Sequence, residues 1–118
     1  MTTQKGRDAE DVAVLVLVRL GYDVVGRNVR VGRDEVDVIA KDGAVVGFIE
    51  GRKRARFADA LTSIDARKQA RISRAAENWL AKTAAHGDAG DLPTLRFDVV
   101  IVADDRQDVV KNAFEAEQ

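Results

Sequence analysis

Two β-rich stretches flank a turn signal near the middle of the chain, and this pairing constrains the fold more than any other feature. Glu35-Val36-Asp37-Val38-Ile39-Ala40 and Ala44-Val45-Val46-Gly47-Phe48-Ile49-Glu50 are separated by Lys41-Asp42-Gly43. Asp-Gly between alternating apolar runs is a hairpin signal, so the two stretches are expected to pair antiparallel. With Asp42-Gly43 as the two-residue turn, Lys41 faces Ala44 and Asp37 faces Phe48. Glu50 then lies one diagonal step from Asp37 on the same face of the sheet. Two carboxylates converge within reach of one ion, and a cation follows in Glu50-Gly51-Arg52. Hard oxygen ligands of this kind suit Mg²⁺ or Mn²⁺, and such an ion can bind a phosphodiester, activate a water and stabilise the displaced oxygen. Taken singly, either acid reads as the polar half of an alternating strand. It is their joint placement that points to a site.

The segments around the hairpin suggest a mixed sheet. Strands are expected at Asp23 to Val31, Asp34 to Lys41 and Ala44 to Lys53, a meander with Gly32-Arg33 as its first turn. Ahead of them, Arg7 to Leu20 contains Val12 to Val18, which is apolar all round and rich in β-branched residues. Propensity alone allows a strand there, and length argues for a buried helix. A long helix is expected from about Ser63 to Ala84, with Thr62 and Asp65 as a capping-box-like start. Ile64, Ile72, Ala75, Ala76, Trp79, Leu80 and Thr83 form its apolar stripe, and Arg67, Arg71 and Arg74 fall on another face. His86 to Pro93 reads as a loop, Leu95 to Ala103 as the last strand, and Val109 to Phe114 as a short helix. The order α-β-β-β-α-β is that of an α/β or α+β domain, a central mixed sheet flanked by helices.

At 118 residues the chain is expected to be one domain, residues 1–118, with an acidic C-terminal tail over 104–118. It contains no cysteine, which excludes disulfides and thiolate zinc sites. The apolar run Val12 to Val18 is too short to span a bilayer, and the N-terminus lacks the order of a signal peptide; a cytoplasmic protein without membrane association is the expectation. The net charge of −1 hides an asymmetry. Between Gly51 and Arg74 eight bases, including Arg52, Lys53, Arg54, Arg56, Arg67, Lys68, Arg71 and Arg74, stand against Asp59 and Asp65, whereas the tail from Asp104 is acidic. A basic zone that begins beside paired carboxylates suits a binder of phosphate backbone, although basic runs alone are more often solvated faces.

Further motifs follow one another along the chain. Ala9-Glu10-Asp11-Val12-Ala13, Leu20-Gly21-Tyr22, Arg27-Asn28-Val29-Arg30, Asp34-Glu35-Val36-Asp37-Val38-Ile39-Ala40, Phe48-Ile49-Glu50, Lys68 ahead of Ala75-Ala76 and Trp79-Leu80, and Arg96-Phe97-Asp98-Val99-Val100 occur in that order. Together they resemble the bacterial YraN-like family of endonuclease-like proteins, which is similar to Holliday-junction resolvases within the PD-(D/E)xK nuclease superfamily. The resemblance runs from about Gly6 to Val102.

It implies a restriction-endonuclease-like fold acting on DNA, branched or otherwise structured, with Mg²⁺ or Mn²⁺ held by Asp37 and Glu50. Glu10 would complete the metal shell directly or through water, or it is simply an acid favoured in a first helical turn. Arg54, Arg56, Lys68, Arg71 and Arg74 would contact phosphates, with Lys68 equally readable as a surface lysine. A homodimer follows by analogy with enzymes that act on symmetric junctions. The chain departs from the family at one place: Glu50-Gly51-Arg52 stands where the family has Glu-Val-Lys. Alternation points Lys53 to the opposite face, so Arg52 occupies the catalytic lysine position. An arginine can neutralise charge or orient water but cannot act as a general base. The alternative is therefore a catalytically impaired module that serves as a DNA-binding or protein-interaction platform. Tyr22 and Trp79 read as core aromatics, and Asp98 as the partner of Arg96.

Overall fold

The computed structural model describes residues 2–86 and 93–115. Its elements are α1 (Thr2–Arg19), β1 (Asp23–Val31), β2 (Asp34–Asp42), β3 (Val45–Lys53), α2 (Phe57–Thr62), α3 (Ala66–His86), β4 (Thr94–Val102) and β5 (Gln107–Phe114). The five strands form one sheet in the order β1-β2-β3-β4-β5. Neighbouring strands run antiparallel except β3 and β4, which are parallel and joined by a crossover through α2 and α3. This is a mixed α/β arrangement, compatible with a nuclease-like fold. Residues 87–92 of the expected loop lie outside the described residues.

The ambiguous first segment is a helix because it has a face to bury. Ala13 and Leu17, one turn apart, pack with Tyr22, Val38, Ala40, Ile49 and Val100 on one side of the sheet. The helix ends in a Schellman motif: Gly21 N–H donates to the Val18 carbonyl and Tyr22 N–H to that of Leu17, with Gly21 at φ +91°. On the other side of the sheet α2, α3 and the link between them cover Val46, Phe48, Phe97, Val99 and Ile101 with Ala60, Ile64, Ile72, Ala75 and Ala76. Trp79 closes this core edge-on against Phe48, 5.6 Å between ring centres.

Three expectations need correcting. The expected helix over Val109–Phe114 is part of strand β5, because it finds a free edge of β4: Val110 pairs with Val99 and Phe114 stacks on Phe97. The long helix starts later, at Ala66, because Asp65 and not Thr62 is its cap; Asp65 Oδ1 accepts from Lys68 N–H, while the Thr62 hydroxyl turns back to the carbonyls of Ala58 and Asp59. The hairpin turn is Gly43-Ala44, so Asp42 pairs with Val45. Asp42 is kept in the strand by Arg96 at 2.7 Å and Lys111 at 3.0 Å, and Gly43 takes the positive φ of +62° that the first turn position demands. A shift of two residues preserves the faces of the paired residues Val38 to Asp42 and Val45 to Ile49.

Candidate functional site

The β2–β3 ladder runs from Asp42↔Val45 to Val38↔Ile49 and then gives way to side chains. Asp37 N–H, next in line, donates to Glu50 Oε2 at 3.0 Å, and Gly51 N–H donates to Asp37 Oδ2 at 3.0 Å. Each carboxylate thus takes an amide of the opposite strand. Val36 and Val38, which alternation would place on one face, belong to the cores on opposite sides of the sheet, so β2 turns about its axis at Asp37. The expected convergence of Asp37 and Glu50 is therefore present, and tighter than a diagonal pair.

Glu50 is fully buried, on the side of the sheet covered by α2 and α3. Its Oε1 has no hydrogen-bond partner, although two cations lie near: Lys68 Nζ at 3.1 Å, outside hydrogen-bonding alignment, and Arg52 Nη2 at 3.8 Å. Arg52 also reaches Asp37 Oδ2 at 3.9 Å and donates to the Gly51 carbonyl. Burial, then the charge of Asp37, push the Glu50 carboxyl above its ordinary range, against the Asp37 amide and Lys68, which pull it down. The hydrogen bonds occupy Asp37 Oδ2 and Glu50 Oε2 and leave one oxygen of each carboxylate for a ligand.

These residues fit a hard divalent cation in one respect and depart from the expectation in another. A buried carboxylate oxygen faced by cations, beside a second carboxylate, matches the one or two protein ligands with which Mg²⁺ is commonly held, the remaining positions falling to water and phosphate. Glu10 is held by a partner of its own. It sits on α1 and accepts at 3.1 Å from Asn28 Nδ2, on the strand beside Asp37, next to an Asp11–Arg27 pair. Among the described residues no three acidic, histidine or cysteine side chains cluster as a metal site.

The basic residues divide. Arg54 and Arg56 are exposed at the exit of β3, and Arg67 and Arg71 are exposed on the first turns of α3. Arg74, expected at the phosphates, is instead committed to Asp34 through two hydrogen bonds of 2.8 Å, which hold the Asp34 carboxyl below the usual carboxylate range. Lys68 is not a solvated surface lysine: it faces Glu50. A signal was present, because Arg67 and Lys68 stand in a first helical turn that has no acid, against the helix dipole.

Asp98 belongs to a separate buried network. It accepts from Arg96 Nε at 2.8 Å, from Tyr22 OH at 2.9 Å and from the Asn112 amide at 2.9 Å, and Arg96 continues to Asp42. Burial and Asp98 raise the Tyr22 phenol far above its ordinary range. The expected Arg96–Asp98 pair is present, and it ties the edge strand β5 to the sheet.

No helix among the described residues is long and apolar enough to cross a membrane. The model of the Uncharacterised protein family UPF0102 matches residues 9–102. A UPF0102 protein of Methylorubrum extorquens is 42% identical over 117 residues, 98% of this chain and 88% of the relative. One from Methylorubrum populi is 39% identical over 97% of this chain and 89% of the relative, and one from Sorangium cellulosum is 51% identical over 64% of this chain and 55% of the relative. With a match across most of its length and relatives of this similarity, the chain belongs to family UPF0102, the YraN family to which its motifs point.

Proposed function

We propose that this protein is a metal-dependent endonuclease that binds DNA, branched or otherwise structured, and hydrolyses its phosphodiesters. The observation that carries the reading is the Asp37–Glu50 pair, with the buried Glu50 Oε1, faced only by cations, at its centre. Asp37 and Glu50 would hold Mg²⁺ or Mn²⁺, which when bound supplies charge stabilisation and a more acidic water. Arg52 lies near both carboxylates, and its guanidinium would neutralise charge that develops on a phosphate. Arg54, Arg56, Arg67 and Arg71 would bind flanking phosphates. The preference for branched DNA and a homodimer with two sites come from the resemblance to junction resolvases, and sedimentation velocity checks the second.

The other reading is a nuclease-fold module that binds DNA or protein without turnover. What favours it is the charge balance of the site: two carboxylates already face two cations, and the guanidinium fills the usual lysine position. Cleavage of linear, flapped and four-way DNA with Mg²⁺ and with Mn²⁺, using Asp37→Asn as control, separates the two. Metal-dependent cleavage lost in the control establishes the enzyme. DNA binding with no cleavage of any substrate establishes the module.

A further inference from the structure

Lys68 is the one member of the charge cluster that reaches the site from a helix. Its ammonium lies 3.1 Å from the Glu50 oxygen that lacks a hydrogen bond, which is the oxygen a divalent ion would use. It comes from the first turn of α3, where the helix dipole and the neighbouring Arg67 both disfavour a cation. Among the described residues the Lys68 ammonium pairs with Glu50, while its backbone amide is capped by Asp65. The side chain is 29% exposed, so one end of its range is the buried carboxylate and the other is the surface shared with Arg67 and Arg71.

We propose that Lys68 is a built-in counter-ion that stands in for the divalent cation in the free protein and is handed to a DNA phosphate when the ion enters. This rests on the proposed metal site and adds a regulation to it. An ion entering beside Glu50 meets the repulsion of the ammonium; a phosphate on the α3 surface offers the ammonium another anion and removes that repulsion. Ion and DNA then strengthen each other's binding by the same factor, as linkage requires. Lys68 acts as a positioning residue, through Glu50. Arg52 is a poorer candidate for the exchange, because it is anchored to the Gly51 carbonyl and lies farther from Glu50, at 3.8 Å against 3.1 Å.

The test is Mn²⁺ binding to the DNA-free protein at pH 8, followed by the electron paramagnetic resonance signal of unbound Mn²⁺, in wild type, Lys68→Gln and Lys68→Arg. Circular dichroism confirms that each is folded. Lys68→Gln is expected to bind Mn²⁺ roughly tenfold more tightly, because a single and a double charge about 6 Å apart repel by that factor even at the dielectric constant of water. Lys68→Arg, which keeps the charge, should resemble wild type. In the second arm, anisotropy of a labelled duplex at constant ionic strength should show Mn²⁺ strengthening DNA binding in wild type and much less in Lys68→Gln. Equal or weaker Mn²⁺ binding in Lys68→Gln, or no effect of Mn²⁺ on the wild-type affinity for duplex, overturns the inference and leaves the metal site standing. No Mn²⁺ bound by any folded variant, with or without duplex, removes the metal site and the inference together.

Discussion

Replacing Glu50 by glutamine should make the metal-free protein more stable at neutral pH while removing its ion binding. The fold raises the Glu50 carboxyl above the usual glutamate value of 4.5, chiefly by burial and secondarily by Asp37. Between that value and the folded pKa, native protein holds a proton that the unfolded chain has released, so the contribution of Glu50 to stability is greatest below the ordinary glutamate range and is lost as pH rises through the folded pKa. Glutamine copies the protonated form: it is neutral and nearly isosteric, and its carbonyl can still accept the Asp37 amide. Each unit of upward displacement corresponds to about 1.4 kcal/mol. For 118 residues this is about 5 °C in melting temperature per unit. Thermal melts with EDTA should therefore show Glu50→Gln above wild type at pH 8 and level with it at pH 4. Added Mn²⁺ should raise the wild-type melt by about 2.7 kcal/mol at a hundred times its dissociation constant and leave the variant unmoved. A variant that melts below wild type at pH 8 yet coincides at pH 4 would show that the ionised carboxylate stabilises the fold, and the reasoning would fail.

Four other predictions concern the cations. Arg52→Ala should abolish cleavage without loss of DNA binding, whereas Arg52→Lys should cleave at least as well as wild type; vigorous wild-type turnover destroyed by Arg52→Lys would point to chemistry built around the guanidinium. Arg67→Gln and Arg71→Gln should weaken binding to unrelated duplexes alike and lower the slope of log affinity against log salt by about 0.9 for each lost contact. Arg74→Gln should instead lower the melting temperature, since Asp34 would lose its bidentate partner, and binding isotherms with melts on the same samples tell the two outcomes apart. Arg96→Met should cost on the order of 3 kcal/mol in urea unfolding, because it leaves Asp98 buried without its cation.

The strands and the shared face of Asp37 and Glu50 were legible because both rest on local signals, period-two alternation and turn chemistry, and a register error of two preserves faces. The hairpin turn was misplaced because what keeps Asp42 in the strand comes from Arg96 and Lys111, more than 50 residues away in sequence. Strand β5 was hidden for a related reason: Asp108, Lys111 and Asn112 give it no apolar alternation, and it is held by the edge of β4 and by the Asp98 carboxylate on the Asn112 amide. At the site, the acids could be read from spacing, but the partners of Glu10, Lys68 and Arg74 could not, since each is decided by where a helix crosses the sheet. Arg74 illustrates this: a basic residue on a helix face looks free until Asp34, 40 residues earlier, is seen to claim it.

The exchange of amides between the two strands gives Asp37 and Glu50 a second occupation. Where the sheet would otherwise lose its next rungs, the carboxylates supply them, Glu50 to the Asp37 amide and Asp37 to the Gly51 amide. Cutting either acid back to alanine removes a rung as well as a ligand, so amide isosteres are the cleaner probes of chemistry. A protein of this build that had given up turnover would still profit from both acids as parts of its scaffold. Arg52 and Lys68 complete no rung, and it is in these two cations, more than in the acids, that the working state of the site is recorded.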